Sequence, residues 1–279
     1  MKVFKKHFFF NLIHKLQIKI SFSVPYICFM KIVIIGSGNV AYHLAKAFSE
    51  NSIEISQIFG RNKLDLQAIS KETNIPYSVE NLMIADLYII AVNDSSIAEV
   101  SEKIKENNCI VTHTSGSVSR DTLVGNYRKS VFYPLQTFSK SKKLDYHEIP
   151  FFIEAENDID FEILKNLASK ISKKVMRADS QKRKYIHLTA VFACNFVNHL
   201  YARAKEISDF QNIPFEYFLP LIDETTNKIH ILEPKLAQTG PGVRNDQRVL
   251  KIHEEILTDK EHLKIYKMMN ESIKKMYEL

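Results

Sequence analysis

The chain has 279 residues, 45% of them hydrophobic and 25% charged, with a mean hydropathy of -0.17. That balance excludes a disordered chain, a coiled coil and a multi-span membrane protein, and the length suits two domains. The formal net charge of +6 is not a nucleic-acid footprint. Residues 1–29 carry five lysines (Lys2, Lys5, Lys6, Lys15, Lys19) and no acid, which leaves +1 for everything from Met30 onward. Three cysteines, Cys28, Cys109 and Cys194, form no CxxC pair. Neither a disulfide framework nor a thiolate zinc site is expected, and a reducing cytoplasm fits.

The basic segment 1–29 starts like a signal peptide, with lysines ahead of Phe8-Phe9-Phe10, but His14, Lys15 and Lys19 break the apolar run. It is expected to be an extension without function, the domain beginning at Met30. Strand-like runs then follow at 31–35, 53–59, 87–92, 109–112, 131–133, 151–154 and 174–177. Amphipathic helices at about 40–50, 64–72, 96–106 and 159–172 separate them. Strand–helix alternation predicts βαβ units, hence an α/β fold with a doubly wound parallel sheet over 30–180. After Asp179 the strand pattern stops. Helical patterns at 181–209, 215–229, 233–238, 246–257 and 259–278 predict an all-helical domain over 181–279.

The strongest motif joins the first strand to the first helix: Lys31-Ile-Val-Ile-Ile-Gly36-Ser37-Gly38-Asn39-Val40-Ala41. In a G-x-G-x-x-A loop the first glycine makes the tight turn and the second lets a pyrophosphate approach the backbone. The alanine keeps the helix close to the sheet, and the helix N-terminus faces the phosphates. Gly36, Ser37, Gly38, Asn39 and Val40 are therefore expected to bind a dinucleotide. An NAD site usually has an acid at the end of the second strand, where this chain reads Phe59-Gly60-Arg61-Asn62-Lys63. Arg61, with Asn62, suits a 2′-phosphate, so NADP(H) is the expected cofactor. Val92 and Asn93, at the end of the 87–92 strand, suit the nicotinamide side; Ser96-x-x-Glu99 reads as a capping box. The loops His113–Ser117 and Tyr133–Phe138 also follow strands and can line the same cleft. His113 and Ser115 are substrate-binding candidates there.

These stretches, together with Tyr185–Asn195 and Thr239–Asp246, resemble the Rossmann-like family whose C-terminal part is called domain of unknown function 2520. That family is similar to pyrroline-5-carboxylate reductases and deazaflavin-dependent NADP oxidoreductases, and the likeness spans 30–279. Asn245 stands where the family pattern has glycine, and Cys194 where serine is usual. The resemblance implies a helical domain like the C-terminal part of 6-phosphogluconate dehydrogenase, which pairs with its twin in a homodimer. It also implies an active cleft between the two domain types.

A homodimer is also expected from the helix at 181–209, because Ile186, Leu188, Val191, Phe192, Phe196 and Leu200 cover more than one side of it. At 100° per residue, His187, Asn195 and Asn198 fall near one stripe of that helix. Asn195 and His187 are the catalytic candidates: Asn195 to donate to a substrate oxygen, His187 to carry a proton. Arg244 suits a substrate carboxylate, and Asp246 suits orienting that arginine. The expected activity is hydride transfer between NADP(H) and a small carbonyl, imine or hydroxy metabolite. The alternative is a non-catalytic NADP(H)-binding sensor or scaffold. No HxH, HxxxH, HExxH or GxSxG occurs, so neither a metal hydrolase nor a serine hydrolase is expected, and no resident metal.

Overall fold

The computed structural model describes residues 30–279; the expectation for residues 1–29 lies outside the described residues. The chain divides into two compact units, the first ending at Val191 and the second spanning Phe192–Leu279.

The first unit is built on an eight-stranded sheet. Its strands are β1 (Ile32–Ile35), β2 (Gln57–Phe59), β3 (Tyr77–Ser78), β4 (Leu87–Ile90), β5 (Ile110–His113), β6 (Arg128–Pro134), β7 (Phe151–Ala155) and β8 (Val175–Arg177). They lie in the order β3-β2-β1-β4-β5-β6-β7-β8. Every neighbouring pair is parallel except β6 and β7. The doubly wound parallel sheet expected from the sequence is present as a mostly parallel one, with β7 and β8 reversed. The physical reason is the connection: no α-helix lies between β6 and β7, so nothing carries the chain back to the starting edge as a parallel crossover requires.

The helices of this unit are α1 (Asn39–Glu50), α2 (Lys63–Thr73), α3 (Ile97–Ser101), α4 (Asp158–Ser169) and α5 (Ser180–Ala190). They cover both faces, which explains why β1 (Ile-Val-Ile-Ile) and β4 (Leu-Tyr-Ile-Ile) are unbroken apolar runs, fully buried. Strand alternation sends Ile32 and Ile34 into one core with Phe48, Leu66 and Leu164. Val33 and Ile35 enter the other, with Tyr88, Ile97 and Leu123.

Several boundaries differ from those the sequence suggests. The second strand starts at Gln57 rather than 53; Ile53 and Ile55 are buried in the approach loop instead. The two-residue β3 was not expected. The 96–106 helix is only Ile97–Ser101, entered through a 3-10 turn at Asp94–Ser96. Ser96 already has helical backbone there and its side chain makes no capping bond, so the capping box does not form. The first compact unit runs on to Val191, and within it Arg183 of α5 is buried and bonded to Glu154 of β7 at 2.6 Å and to the Val118 carbonyl at 3.1 Å.

The 181–209 helix is not uniform: a π segment, Val191–Phe196, separates α5 from α6 (Val197–Phe210). The second unit continues with a 3-10 turn at Phe215–Phe218 and with α7 (Leu219–Lys228), α8 (Pro234–Ala237), α9 (Gln247–Ile256) and α10 (Lys260–Met276). Aspartates cap α9 and α10: Asp246 accepts from Val249 N and Asp259 from His262 N. His253 and Tyr266 join these two helices at 2.9 Å. Among the described residues, no helix is long and apolar enough to cross a membrane.

Candidate functional site

Strands β1 and β4 are neighbours, while the chain from β1 leads outward to β2 and that from β4 to β5 on the other side. The carboxyl ends of such a pair form the crevice where open α/β sheets bind ligands. The backbone knits these ends together. Gly36 N donates to Phe59 O (2.8 Å), Ala91 N to Ile35 O (2.7 Å) and Thr114 N to Ile90 O (3.1 Å). The residues after β1, β2, β4 and β5 therefore share one rim, as their sequence positions led us to expect.

The loop after β1 has the geometry its glycines suggest. Gly36 is buried with φ +135°, and a Cβ there would stand 2.1 Å from the Ala91 carbonyl oxygen. Gly38 is the opposite case: exposed, with extended backbone, and a Cβ on it would meet nothing within 4 Å. It is the N-cap of α1, where no side chain caps the first turn. Unclaimed helix N–H groups facing open space are what a pyrophosphate needs, so these residues fit a dinucleotide. Ser37 is half-buried and Asn39 exposed. Val40 packs inward against the core beneath. Asn39 Nδ2 donates to Phe138 O at 2.9 Å.

At the end of β2, Arg61 is exposed. Asn62 does not stand free as expected: its Oδ1 accepts from Asp65 N and its Nδ2 donates to Asp65 Oδ2 at 2.6 Å, capping α2. Val92 packs beside Gly36, and exposed Asn93 opens the 3-10 turn.

The loop after β5 is organised by its own side chains. His113 is fully buried; its Nδ1 accepts from Ser115 N (3.2 Å), so Nε2 carries the hydrogen donated to Ser119 O (3.3 Å). Burial, reinforced by the Arg183 charge, pulls its pKa down to about 4. Both ring nitrogens are thus engaged within the loop, and the buried ring is neutral. Ser115 Oγ likewise accepts from Ser117 N and Val118 N, shaping the turn rather than facing outward. Ser117 Oγ donates to Asp94 Oδ2 at 2.6 Å, tying this loop to the one after β4.

Three residues here were not singled out individually from sequence. Tyr133, near the end of β6, lies so close over Gly116 that a Cβ there would come within 2.5 Å of its ring. Its hydroxyl is 3.3 Å from His187 Nδ1 on α5, so of the two catalytic candidates His187 has a partner in the first unit. Burial raises the Tyr133 pKa, opposed by nearby Arg183. Arg183 has no exposed side-chain surface; its Nη2 reaches Glu154 Oε2 at 2.6 Å and Ser180 Oγ at 3.0 Å. Burial lowers its pKa and the Glu154 carboxylate opposes the shift.

In the second unit, Asn195 is exposed within the π segment, and Asn198 and Arg244 are exposed as well. Because a π turn closes i→i+5 bonds, the 100° steps that placed His187, Asn195 and Asn198 on one stripe do not hold. Asp246 Oδ1 accepts from Val249 N at 3.2 Å. It caps α9 in this way and forms no ion pair with Arg244. Asn245 has φ +52°, the left-handed turn foreseen where the family pattern has glycine.

This fold and rim define a dinucleotide-binding unit followed by a helical unit, and the comparisons agree. Residues 31–116 match the family described as NADP oxidoreductase coenzyme F420-dependent, and residues 149–273 match domain of unknown function 2520. A candidate NADP oxidoreductase from Bacteroides fragilis is 41% identical, covering 90% of this chain and 98% of that one, with a TM-score of 0.83. A Thermotoga maritima protein at 20% identity covers 88% and 98%, with a TM-score of 0.70. The 1-pyrroline-5-carboxylate reductase of Streptococcus pyogenes shares the fold at 13% identity, covering 90% and 99%, TM-score 0.59. No curated protein matches the chain. The chain belongs to the Rossmann-like NADP oxidoreductase family that carries a C-terminal domain of unknown function 2520.

Proposed function

We propose that this chain is an NADP(H)-dependent oxidoreductase acting on a small carbonyl, imine or hydroxy metabolite, and that it works as a homodimer. The observation that carries the reading is the uncapped start of α1 behind an open Gly38, with exposed Arg61 at the end of the next strand. Gly36 to Val40 would hold the pyrophosphate and Arg61 the 2′-phosphate; Val92 and Asn93 would border the nicotinamide side. When bound, the cofactor supplies or accepts the hydride.

The chain's own task is to orient the substrate and handle the proton. Tyr133 Oη would give a proton to a substrate oxygen or nitrogen as the carbon is reduced, and His187 Nδ1, 3.3 Å away, would restore it. Burial works against the phenolate left behind, and the nearby Arg183 charge partly offsets that. Asn195 keeps its expected role as donor to a substrate oxygen, and Arg244 as a carboxylate contact; the corresponding alanine variants test them. Pairing of two chains is supported by Phe192, Phe210 and Ile231, which are 63%, 73% and 85% exposed in the second unit.

The test is a screen of cyclic imines and keto acids with NADPH, followed by nicotinamide emission, which no tryptophan obscures. A substrate-dependent loss of NADPH is expected. Tyr133→Phe and His187→Ala should lower kcat by about 10²-fold or more with NADPH affinity kept. Binding without turnover of any substrate overturns the enzymatic reading; unchanged kcat in both variants overturns the proton route.

A further inference from the structure

The chain between β6 and β7 lies across the helices that start the dinucleotide site. Phe138 O accepts from Asn39 Nδ2 in the first turn of α1 (2.9 Å). One residue on, Ser139 O is 2.9 Å from Nε2 of buried His43, whose Nδ1 is 3.0 Å from the Tyr146 hydroxyl. Phe138 packs on the same imidazole at 5.2 Å between ring centres. Lys140 then reaches the first turn of α2, where its Nζ is 2.9 Å from Asp65 Oδ1. A single strap therefore runs from the pyrophosphate end of the site to the ribose end, fastened at α1 and α2.

The charge at α2 gives this strap a consequence. Asp65 is the one acid in the first turn of that helix, and its other oxygen is held by Asn62, next to Arg61. A free carboxylate beside Arg61 opposes a 2′-phosphate. Lys140 cancels it. Lys140 and Asp65 are 34% and 41% exposed, so neither is locked in a core. The ammonium can engage a phosphate while remaining beside the acid.

We propose that Lys140 is a specificity-determining residue of the cofactor site: it neutralises Asp65 and, together with Arg61, binds the 2′-phosphate. This rests on the NADP(H) reading above. It means that the choice between NADP and NAD is set partly by a residue about 80 positions past the second strand, brought there by the strap.

The experiment is equilibrium titration of NADPH, NADH, 2′,5′-ADP and 5′-AMP into the full chain, Lys140→Ala, Lys140→Arg and Asp65→Asn, each checked by melting temperature. Lys140→Ala is expected to weaken NADPH and 2′,5′-ADP about five- to tenfold while NADH and 5′-AMP change less than twofold. Lys140→Arg should restore the preference, and Asp65→Asn should strengthen NADPH. Unchanged NADPH affinity in Lys140→Ala, in a parent chain that prefers NADPH, overturns the proposal and leaves the NADP(H) reading standing. An equal fall for all four ligands also overturns it, since the strap would then act on position alone. Equal affinity of the parent chain for NADPH and NADH overturns both.

Discussion

Gly36 and Ala91 meet at the crevice between β1 and β4 with no room for a side chain, since a Cβ on Gly36 would stand 2.1 Å from the Ala91 carbonyl oxygen. Two independent costs follow for Gly36→Ala: a backbone φ of +135° that L-residues rarely adopt, and a clash with main chain that cannot rotate away. The substitution is expected to destabilise the fold by about 2–4 kcal/mol, measured by urea unfolding. Stability within 0.5 kcal/mol of the parent, as a rough threshold, would show that the loop does not pack in this way.

The Arg183–Glu154 pair yields a second prediction. Arg183 is fully buried, and its guanidinium links α5 to β7 and to the loop after β5. Removing only the carboxylate leaves a buried charge without its counter-ion, so Glu154→Ala should cost about 3 kcal/mol or more. The double variant Arg183→Met/Glu154→Leu should recover much of that loss. A single variant as stable as the parent would place the arginine in solvent.

His113 makes stability depend on pH. Its folded pKa of about 4 lies below the model-peptide value near 6.5, so between these limits the unfolded chain binds the extra proton. Stability is then complete above roughly pH 6.5 and falls as the pH drops toward 4, by up to about 3 kcal/mol. Urea unfolding at pH 7.5 and 5 should show the loss, and His113→Gln should flatten it. An identical slope in that variant would assign the acid sensitivity elsewhere.

How much of this was legible in the sequence depends on the range of the interaction. The Gly36–Ala41 loop and its flanking strand and helix are local, and spacing alone located them. So is the left-handed turn at Asn245. The reversal of β7 was not legible, because it depends on the path of the strap and not on the apolar run Phe151–Ile153. The π segment was hidden for a similar reason: Val-Phe-Ala-Cys-Asn-Phe carries the same apolar pattern in either helix type. Arg183 sits in Gln-Lys-Arg-Lys, which reads as a solvated helix face; the Glu154 carboxylate, the Val118 carbonyl and Ser180 Oγ around it make burial tolerable. His113 was found as a strand-end polar residue, but that its two nitrogens are used by Ser115 and Ser119 is a matter of loop folding. Lys140 and Asp65 are 75 residues apart, beyond any local signal.

The proposed homodimer rests on exposed apolar surface. Besides Phe192, the second unit exposes Phe196 (50%), Phe210 (73%), Ile231 (85%) and Leu236 (74%). A stable dimer that covers such side chains is expected by light scattering at tens of micromolar, roughly. Phe192→Asp should shift it toward monomer. A parent chain that stays monomeric at that concentration contradicts the dimer.

On the proposed function, the cofactor's phosphates lie in the open space at Gly38. Gly38→Ala tests it most directly, because a Cβ there meets nothing in the protein and the backbone at φ -76° accepts alanine. NADPH is titrated into the parent and the variant by nicotinamide fluorescence, alongside thermal melts of both. Saturable binding by the parent, a loss of about tenfold or more in the variant, and melting temperatures that agree closely are expected. Equal NADPH affinity in the two proteins, or a folded parent that binds no NADPH, would contradict it.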